Sequence, residues 1–92
     1  MNKYESVVIV NPNVEENTLK ELIERFQTLI NTDGKVEQVN ELGKKKLAYE
    51  INKKKEGYYV VYDFEANPKL IAELERNYRI TDEIIKFIVV KK

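Results

Sequence analysis

The side chains of this chain that are best suited to chemistry are lysine ammonium groups, and they cluster at two places in the sequence. Between residues 44 and 55, six lysines stand against a single acid, Glu50, which gives a local charge of +5. Residues 84–92 carry three more lysines and no acid, for a local charge of +3. Lysine runs usually form only a solvated surface, but both of these belong to strands of one predicted sheet, and phosphate contacts with a nucleic-acid backbone are the obvious use of such a patch. The lysines are Lys44, Lys45, Lys46, Lys53, Lys54 and Lys55 in the first cluster and Lys86, Lys91 and Lys92 in the second.

The overall charge limits this interpretation. Sixteen Lys and Arg residues balance sixteen Asp and Glu residues, so the formal net charge is zero. The chain is therefore not a polycation that coats nucleic acid through bulk charge. We expect modest affinity for RNA alone, and a protein partner that brings positive charge of its own.

Catalytic and metal-binding chemistry has few candidate residues in this sequence. The chain contains no cysteine and no histidine, which excludes disulfides, thiolate zinc sites, cysteine nucleophiles and the usual general base. Chemistry based on carboxylates remains possible in principle. The sequence also has no apolar run near the roughly 18 residues of a membrane span, and its first residues do not resemble a signal peptide. We expect a cytoplasmic binding module without membrane contact.

The hydrophobic pattern predicts one domain over residues 1–92, with the element order βαββαβ. Strands are predicted over residues 3–10, 36–51, 58–65 and 84–90, with a break in the second strand near Leu42 and Gly43 and a lysine-rich connection over residues 52–57. Two βα crossovers and one central hairpin indicate an α+β, ferredoxin-like fold. This fold has a four-stranded antiparallel sheet with both helices on one face.

The two predicted helices begin at recognisable signals. For the first helix we expect Asn13 to act as the N-cap, with Glu16 completing a capping box. The second helix begins with Pro68 at its first position, after Asn67. Apolar residues then recur at steps of three and four in both segments, which gives each helix one face to bury.

Strand alternation predicts that the sheet is apolar on both faces. We assign the richer face of each strand to the helices, and in the second strand this face contains Leu47, Tyr49 and Ile51. The opposite face should be polar if it faces water, yet each strand contributes to it one charge at most: Glu5, Glu50, Asp63 or Lys86. A contiguous apolar patch with charges at its rim is typical of a partner surface. The predicted protein-partner face consists of Val7, Ile9, Tyr59, Val61, Ile88 and Val90.

Three other functions are alternatives to a protein-partner surface. Residues 56–64 resemble the aromatic strand of an RNA-recognition motif, but Glu56, Tyr59 and Val60 replace its basic, small and second stacking residues. An acylphosphatase would need an Arg in a phosphate-binding loop, and residues 11–13 supply neither Arg nor Gly. A ligand-sensing homodimer of the ACT type would use the same open sheet face, but the sequence shows no convergent polar pocket for its ligand.

A series of short patterns extends along almost the whole chain. Lys3 precedes Tyr4-Glu5, an Asn-Pro pair follows the first strand, and residues 42–51 read LGKKKLAYEI. The later patterns are Gly57-Tyr58-Tyr59, Leu74-Glu75-Arg76, Arg79-Ile80, and Lys86 followed by Val89-Val90. In this order and register the chain resembles the bacterial small-subunit ribosomal protein S6 family.

The resemblance implies a structural role without catalysis, and with it we expect no catalytic residues, no metal site, no cofactor and no small-molecule substrate. It implies binding to the central domain of the small-subunit ribosomal RNA, as a heterodimer with ribosomal protein S18 that aids assembly of the platform. Such a partner would cover the apolar face and supply positive charge. The resemblance also places Lys3, Lys45, Lys46 and Lys86 at basic positions of the family. With the adjacent Lys44, the predicted rRNA-binding residues are Lys3, Lys44, Lys45, Lys46 and Lys86.

Overall fold

Strands and helices alternate along the chain in the predicted order. The computed structural model describes residues 1–51 and 54–92, and for residues 48–51 and 54 it describes the backbone alone. The elements are β1 (Asn2–Val10), α1 (Glu16–Asn31), β2 (Gly34–Ile51), β3 (Lys54–Ala66), α2 (Pro68–Arg79) and β4 (Ile84–Lys91). In this described part of the chain, no helix is both long enough and apolar enough to span a bilayer.

Within the described ranges, four strands form one sheet in the order β2-β3-β1-β4. Every neighbouring pair is antiparallel. Each βα crossover therefore joins two parallel strands that have a third strand between them, which is the split βαβ arrangement. The predicted ferredoxin-like fold is confirmed.

Both helices pack on the same face of the sheet, because alternate residues of β1 and β3 are buried against their apolar sides. The sheet contributes Tyr4, Val8, Val10, Val60, Tyr62 and Phe64 to this core. The helices contribute Leu22, Ile23, Phe26 and Ile30 from α1 and Leu70, Leu74 and Tyr78 from α2. The spacing of three and four residues in each helix places these side chains on one side, where the hydrophobic effect holds them against the strands.

Two buried tyrosines connect the sheet and the helices through their hydroxyl groups. Tyr62 in β3 donates a hydrogen bond to the carbonyl oxygen of Ile23 in α1, at 3.1 Å. The hydroxyls of Tyr78 in α2 and Ser6 in β1 lie 2.9 Å apart and share a hydrogen bond. Desolvation raises the pKa of both tyrosines, so their hydroxyls stay protonated well above the pH at which a tyrosine ordinarily ionises. Each buried hydroxyl thus has a partner, which avoids the cost of an unsatisfied polar group.

The predicted break in the second strand is a β-bulge within a continuous β2. Glu41 pairs with Val60 and Gly43 pairs with Tyr59, so Leu42 is an extra residue with no partner of its own. Gly43 has φ +81°, a conformation that glycine adopts without steric cost.

The predicted starts of α1 and β3 differ from the structure. The helix α1 begins at Glu16, with Glu15 at the N-cap position and no side-chain cap. Asn13 lies two residues before the N-cap position and therefore does not cap the helix. Its N–H, which a capping box would pair with Glu16, donates instead to Asn11 Oδ1 at 3.0 Å in a local turn. The strand β3 begins at Lys54, so the connection is shorter than expected, and its residues 52 and 53 lie outside the described part of the chain.

The assignment of Leu47 to the helix side of the sheet is wrong. Leu47 Cδ2 and Ile85 Cδ1 lie 3.4 and 3.7 Å from the position that a Cβ on Gly57 would occupy, and Ile9 Cγ2 lies closer still. Ile9 is on the face opposite the helices, so Leu47 lies there too. Register explains the difference, because Lys46 pairs with Glu56 on the helix side and the next residue therefore points the other way. The side chains of Tyr49 and Ile51 are outside the described residues.

Glycine is required at position 57 because Ile9 fills the space that a side chain would need. We expect Gly57→Ala to lower the free energy of unfolding by about 1–3 kcal/mol, since overpacking forces neighbouring groups to move. Urea denaturation of Gly57→Ala, Ile9→Ala and the double variant measures this effect. The double variant should be more stable than the sum of the two single effects predicts, whereas strictly additive effects would contradict the contact.

Candidate protein-partner and nucleic-acid interface

The side of the sheet opposite the helices, here called the open face, carries the residues predicted to contact a protein partner. Strand register arranges nine side chains of β3, β1 and β4 on this face in three rows. The rows are Tyr59–Ile9–Lys86, Val61–Val7–Ile88 and Asp63–Glu5–Val90. All six predicted partner residues therefore lie on one face and adjoin one another.

The apolar members of these rows form one continuous surface, here called the apolar band. It consists of Tyr59, Ile9, Val61, Val7, Ile88 and Val90. Ile88 and Val90 are 49% and 47% exposed, and Tyr59, Val61 and Val7 are partly buried. Apart from the end at Ile9, no element of the described chain covers this surface, so it remains in contact with water.

One end of the apolar band is shielded by the chain itself. Ile9 is only 7% exposed although it lies on the open face. Leu47 from β2 and Ile85 from β4 reach the same point above Gly57 and protect Ile9 from water. Ile85 can do so because the β1–β4 register shifts beside it: Ile9 pairs with Lys86 and Val10 with Ile84. The most exposed members of the band are Ile88 and Val90, both on β4.

An ion cluster borders the other end of the apolar band. Glu5 and Asp63 are directly opposite each other on β1 and β3, an unfavourable pairing of like charges. Lys92 Nζ lies 2.6 Å from Asp63 Oδ1 and 3.9 Å from Glu5 Oε2, and it offsets this repulsion. The hydrogen bond to Asp63 raises the pKa of Lys92, with support from the charges of Glu5 and Glu37. This ion cluster could not be predicted from the sequence, because the cluster depends on strand register.

The predicted rRNA-binding lysines do not all lie together. Lys45 pairs with Gly57 and lies on the open face. Its two neighbours, Lys44 and Lys46, lie on the helix side, because successive residues of a strand point to opposite faces. Lys86 is on the open face in the row of Tyr59 and Ile9, but on the opposite edge strand. Lys45 and Lys86 are therefore near the same end of the sheet, on either side of the apolar band.

Lys3 lies far from the other predicted lysines. It pairs with Glu65 of β3, eight residues along that strand from Gly57, the partner of Lys45. At about 3.3 Å per residue this separation is about 26 Å. Lys3 and Lys45 cannot contact the same phosphate, so any RNA that touches both must extend along the sheet.

On the helix side of β2, Lys44 adjoins a small polar contact. Tyr58, its partner in β3, donates a hydrogen bond to Glu41 Oε1 at 3.1 Å. Desolvation raises the pKa of Tyr58, and the hydrogen bond and charge of Glu41 add to the effect. Among the described residues, no group of three or more carboxylates is placed to hold a metal ion.

Comparisons with known proteins give one consistent result. The family model for ribosomal protein S6 matches residues 3–91. A small ribosomal subunit protein bS6 from Clostridium novyi is 50% identical over 91 residues, covering 98% of this chain and 96% of its own length. The bS6 protein of Halalkalibacterium halodurans is 46% identical over 92 residues, covering 99% and 97%.

A solved structure of a protein with related sequence has the same fold. The crystal structure of 30S ribosomal protein S6 from Thermotoga maritima matches with a TM-score of 0.94 and 39% identity, covering 99% of this chain and 87% of that one. Sequence and structure therefore agree over nearly the full length, and the chain belongs to the ribosomal protein S6 family.

Proposed function

We propose that this protein binds the central domain of the small-subunit ribosomal RNA as a heterodimer with ribosomal protein S18, and that this binding aids assembly of the platform. The observation that carries the proposal is the apolar band, whose residues Ile88 and Val90 are about half exposed at its centre and end. A contiguous apolar surface of this kind is typical of a protein-binding site.

Family membership sets the broader role. The chain is a ribosomal protein of the small subunit, a structural constituent and not an enzyme. Its place is on the ribosome, which in bacteria is in the cytoplasm.

The arrangement of the open face suits simultaneous contact with protein and RNA. The apolar band occupies the central strands β3 and β1 and continues onto β4, whereas Lys45 and Lys86 are on the two edge strands. A protein seated on the band would leave Lys45 accessible to phosphates beside it. Lys44 and Lys46 extend the positive charge to the other side of the same hairpin. We assign Lys3 to a separate RNA contact at the far end of the sheet.

The charge balance of the chain supports a joint mode of binding. With a formal net charge of zero, non-specific attraction to RNA is weak, and local lysines supply the few phosphate contacts. Lysine contributes point charge without the bidentate geometry of arginine, so these contacts position the RNA with limited directional specificity. A second protein bound to the apolar band would add contacts that this chain lacks.

Tyr59→Glu tests the partner surface, because the substitution places a charge in the apolar band and outside the helix-covered core. We expect the affinity for S18, measured by calorimetry, to fall by about 30-fold or more, since a buried unpaired charge costs at least about 2 kcal/mol. The thermal unfolding midpoint should change little.

Gln38→Glu is the matched control for this experiment. Gln38 lies on the same face of the sheet, opposite Asp63 and outside the apolar band. The control should bind S18 with nearly normal affinity. Normal binding by Tyr59→Glu itself would contradict the proposed partner surface.

Replacement of Lys44, Lys45 and Lys46 by Gln tests the RNA contacts. Each lost phosphate contact should reduce the slope of log affinity against log salt by about 0.7–0.9. We therefore expect the slope for the S18 complex on a central-domain RNA fragment to become shallower by about two.

A second triple variant separates specific contacts from general charge. Lys20→Gln, Lys69→Gln and Arg76→Gln remove the same number of charges at exposed positions of α1 and α2, away from the lysines of the sheet. This variant should keep the original salt slope. Equal slopes for the two triple variants would show that the lysines of the hairpin have no special part in RNA binding.

A further inference from the structure

The two edge strands of the sheet differ in how well they are protected against pairing with another chain. In the described part of β2, the pairing with β3 shifts register at three places, and exposed charged side chains recur along the strand. Bulges and charges of this kind obstruct the addition of a further strand. Over the same described ranges β4 has one register shift, beside Ile85 near its start, and its sequence IIKFIVVK is mostly apolar. The edge of β4 is therefore the one that can accept a new strand.

The backbone of β4 directs hydrogen-bonding groups outward at alternate residues. Lys92 N–H donates to the carbonyl oxygen of Lys3 at 2.8 Å, so the residues two, four and six before Lys92 also bond toward β1. The N–H and C=O groups of the intervening residues Phe87, Val89 and Lys91 consequently point away from the sheet. Within the described ranges no strand lies on that side of β4.

The side chains on both faces of β4 suit pairing with a second strand of the same sequence. Phe87 and Val89 face the helices and are partly buried against the core. Ile88 and Val90 are on the other face, where they are 49% and 47% exposed. Cross-strand pairs of aromatic and β-branched residues stabilise antiparallel strands. A second β4 at this edge would therefore bury apolar side chains on both faces of the sheet.

One antiparallel register satisfies the backbone and the side chains together. A two-fold axis at Ile88 places this residue opposite Ile88 of the second copy, and Phe87 opposite Val89. The outward-pointing groups of Phe87 and Val89 then exchange hydrogen bonds, as an antiparallel ladder requires. Every residue from 84 to 92 has an opposite residue in the second copy, so this register uses the full length of β4.

The same register joins the apolar rows of the two open faces. Within one copy, Val61, Val7 and Ile88 form the middle row of the apolar band. Because Ile88 lies opposite its own counterpart, the two middle rows become one continuous row. Its two central side chains, each about half exposed in the single chain, come into contact and remove apolar surface from water.

Charge complementarity favours this register as well. Lys86 lies opposite Val90 of the second copy, and Val90 pairs with Glu5 of its own chain. Lys86 and that Glu5 are then two strand spacings apart, about 10 Å, which two extended side chains can span. The ion cluster of Glu5, Asp63 and Lys92 has two carboxylates and one ammonium, a net charge of −1, so Lys86 completes its neutralisation at both ends of the interface. A register that sets Lys86 opposite Lys92 would instead bring like charges together.

We propose that two copies of this chain associate through their β4 strands, antiparallel about a two-fold axis at Ile88, and form one continuous eight-stranded sheet. The inference goes beyond the proposed function, because it concerns the chain in the absence of S18 and RNA. A single strand pair buries less area than a standard protein interface, so the dimer is reversible and forms at micromolar or higher protein concentration.

The lack of cysteine in this chain allows a direct test of the register. Ile88 opposite Ile88 is a non-hydrogen-bonded pair, whose Cα atoms lie about 4.5 Å apart, within the range of a disulfide. Mild oxidation of Ile88→Cys should therefore convert most of the protein into a covalent dimer, seen on a non-reducing gel.

Val90→Cys is the matched control, because Val90 lies on the same face and is almost equally exposed. In the proposed register the two copies of this residue are displaced by four positions, about 13 Å. This variant should stay largely monomeric under the same oxidation. Equal cross-linking of the two variants would indicate random collision and overturn the proposed register.

Sedimentation velocity of the unmodified chain measures the association itself. The sedimentation coefficient should rise from that of a monomer toward that of a dimer between about 10 and about 500 μM. A sedimentation coefficient that stays monomeric over this whole range would overturn the proposal.

Val89→Pro tests the part played by the backbone. The substitution removes an N–H that points outward, and an edge strand tolerates proline at such a position because the hydrogen bonds to its inner neighbour are kept. We expect the dissociation constant of the dimer to rise at least about tenfold, while Val89→Ala, which keeps the N–H, associates more tightly than Val89→Pro. Thermal unfolding checks that both variants fold, and association of Val89→Pro as tight as that of the unmodified chain would contradict the pairing.

Discussion

A four-stranded sheet has two faces, and the helices in the described part of this chain bury one of them. The core lies between α1, α2 and alternate residues of β1 and β3, so the intervening residues of the same strands point away from every described element. Those residues are apolar in the middle of the sheet. Because burial of such surface is favourable, the open face is where a partner gains most, and it is available without any change in the fold.

Charged groups and contacts within the chain reduce the area of this apolar surface that is exposed to water. Ile9 is covered by Leu47 and Ile85, which reach it because of Gly57 and a shift in strand register. At the other end Lys92 joins the carboxylates of Glu5 and Asp63 into a hydrated cluster. What remains exposed is a band across three strands, with lysines on the edge strands beside it. The proposed protein contacts and the proposed RNA contact at Lys45 are therefore on adjacent parts of the open face.

The features that depend on alternation and helical period could be predicted from the sequence, since each strand or helix carries its own pattern. The element order, the helix-covered residues of β3 and the apolar open face are of this kind. Features that depend on register could not be predicted in this way. Glu5 faces Asp63, and Leu47 lies away from the helices, only because of how β2, β3 and β1 pair. The cap expected at Asn13 is absent because α1 begins later, at Glu16, and Asn13 belongs to a local turn with Asn11.

On the proposed function, this chain and S18 bind ribosomal RNA together. The most direct test is a titration of a labelled central-domain RNA fragment with this chain alone, with S18 alone and with both at equal concentration. We expect weak binding by each protein alone and tight binding by the pair. Equally weak binding in all three titrations, or tight binding by this chain alone, would contradict it.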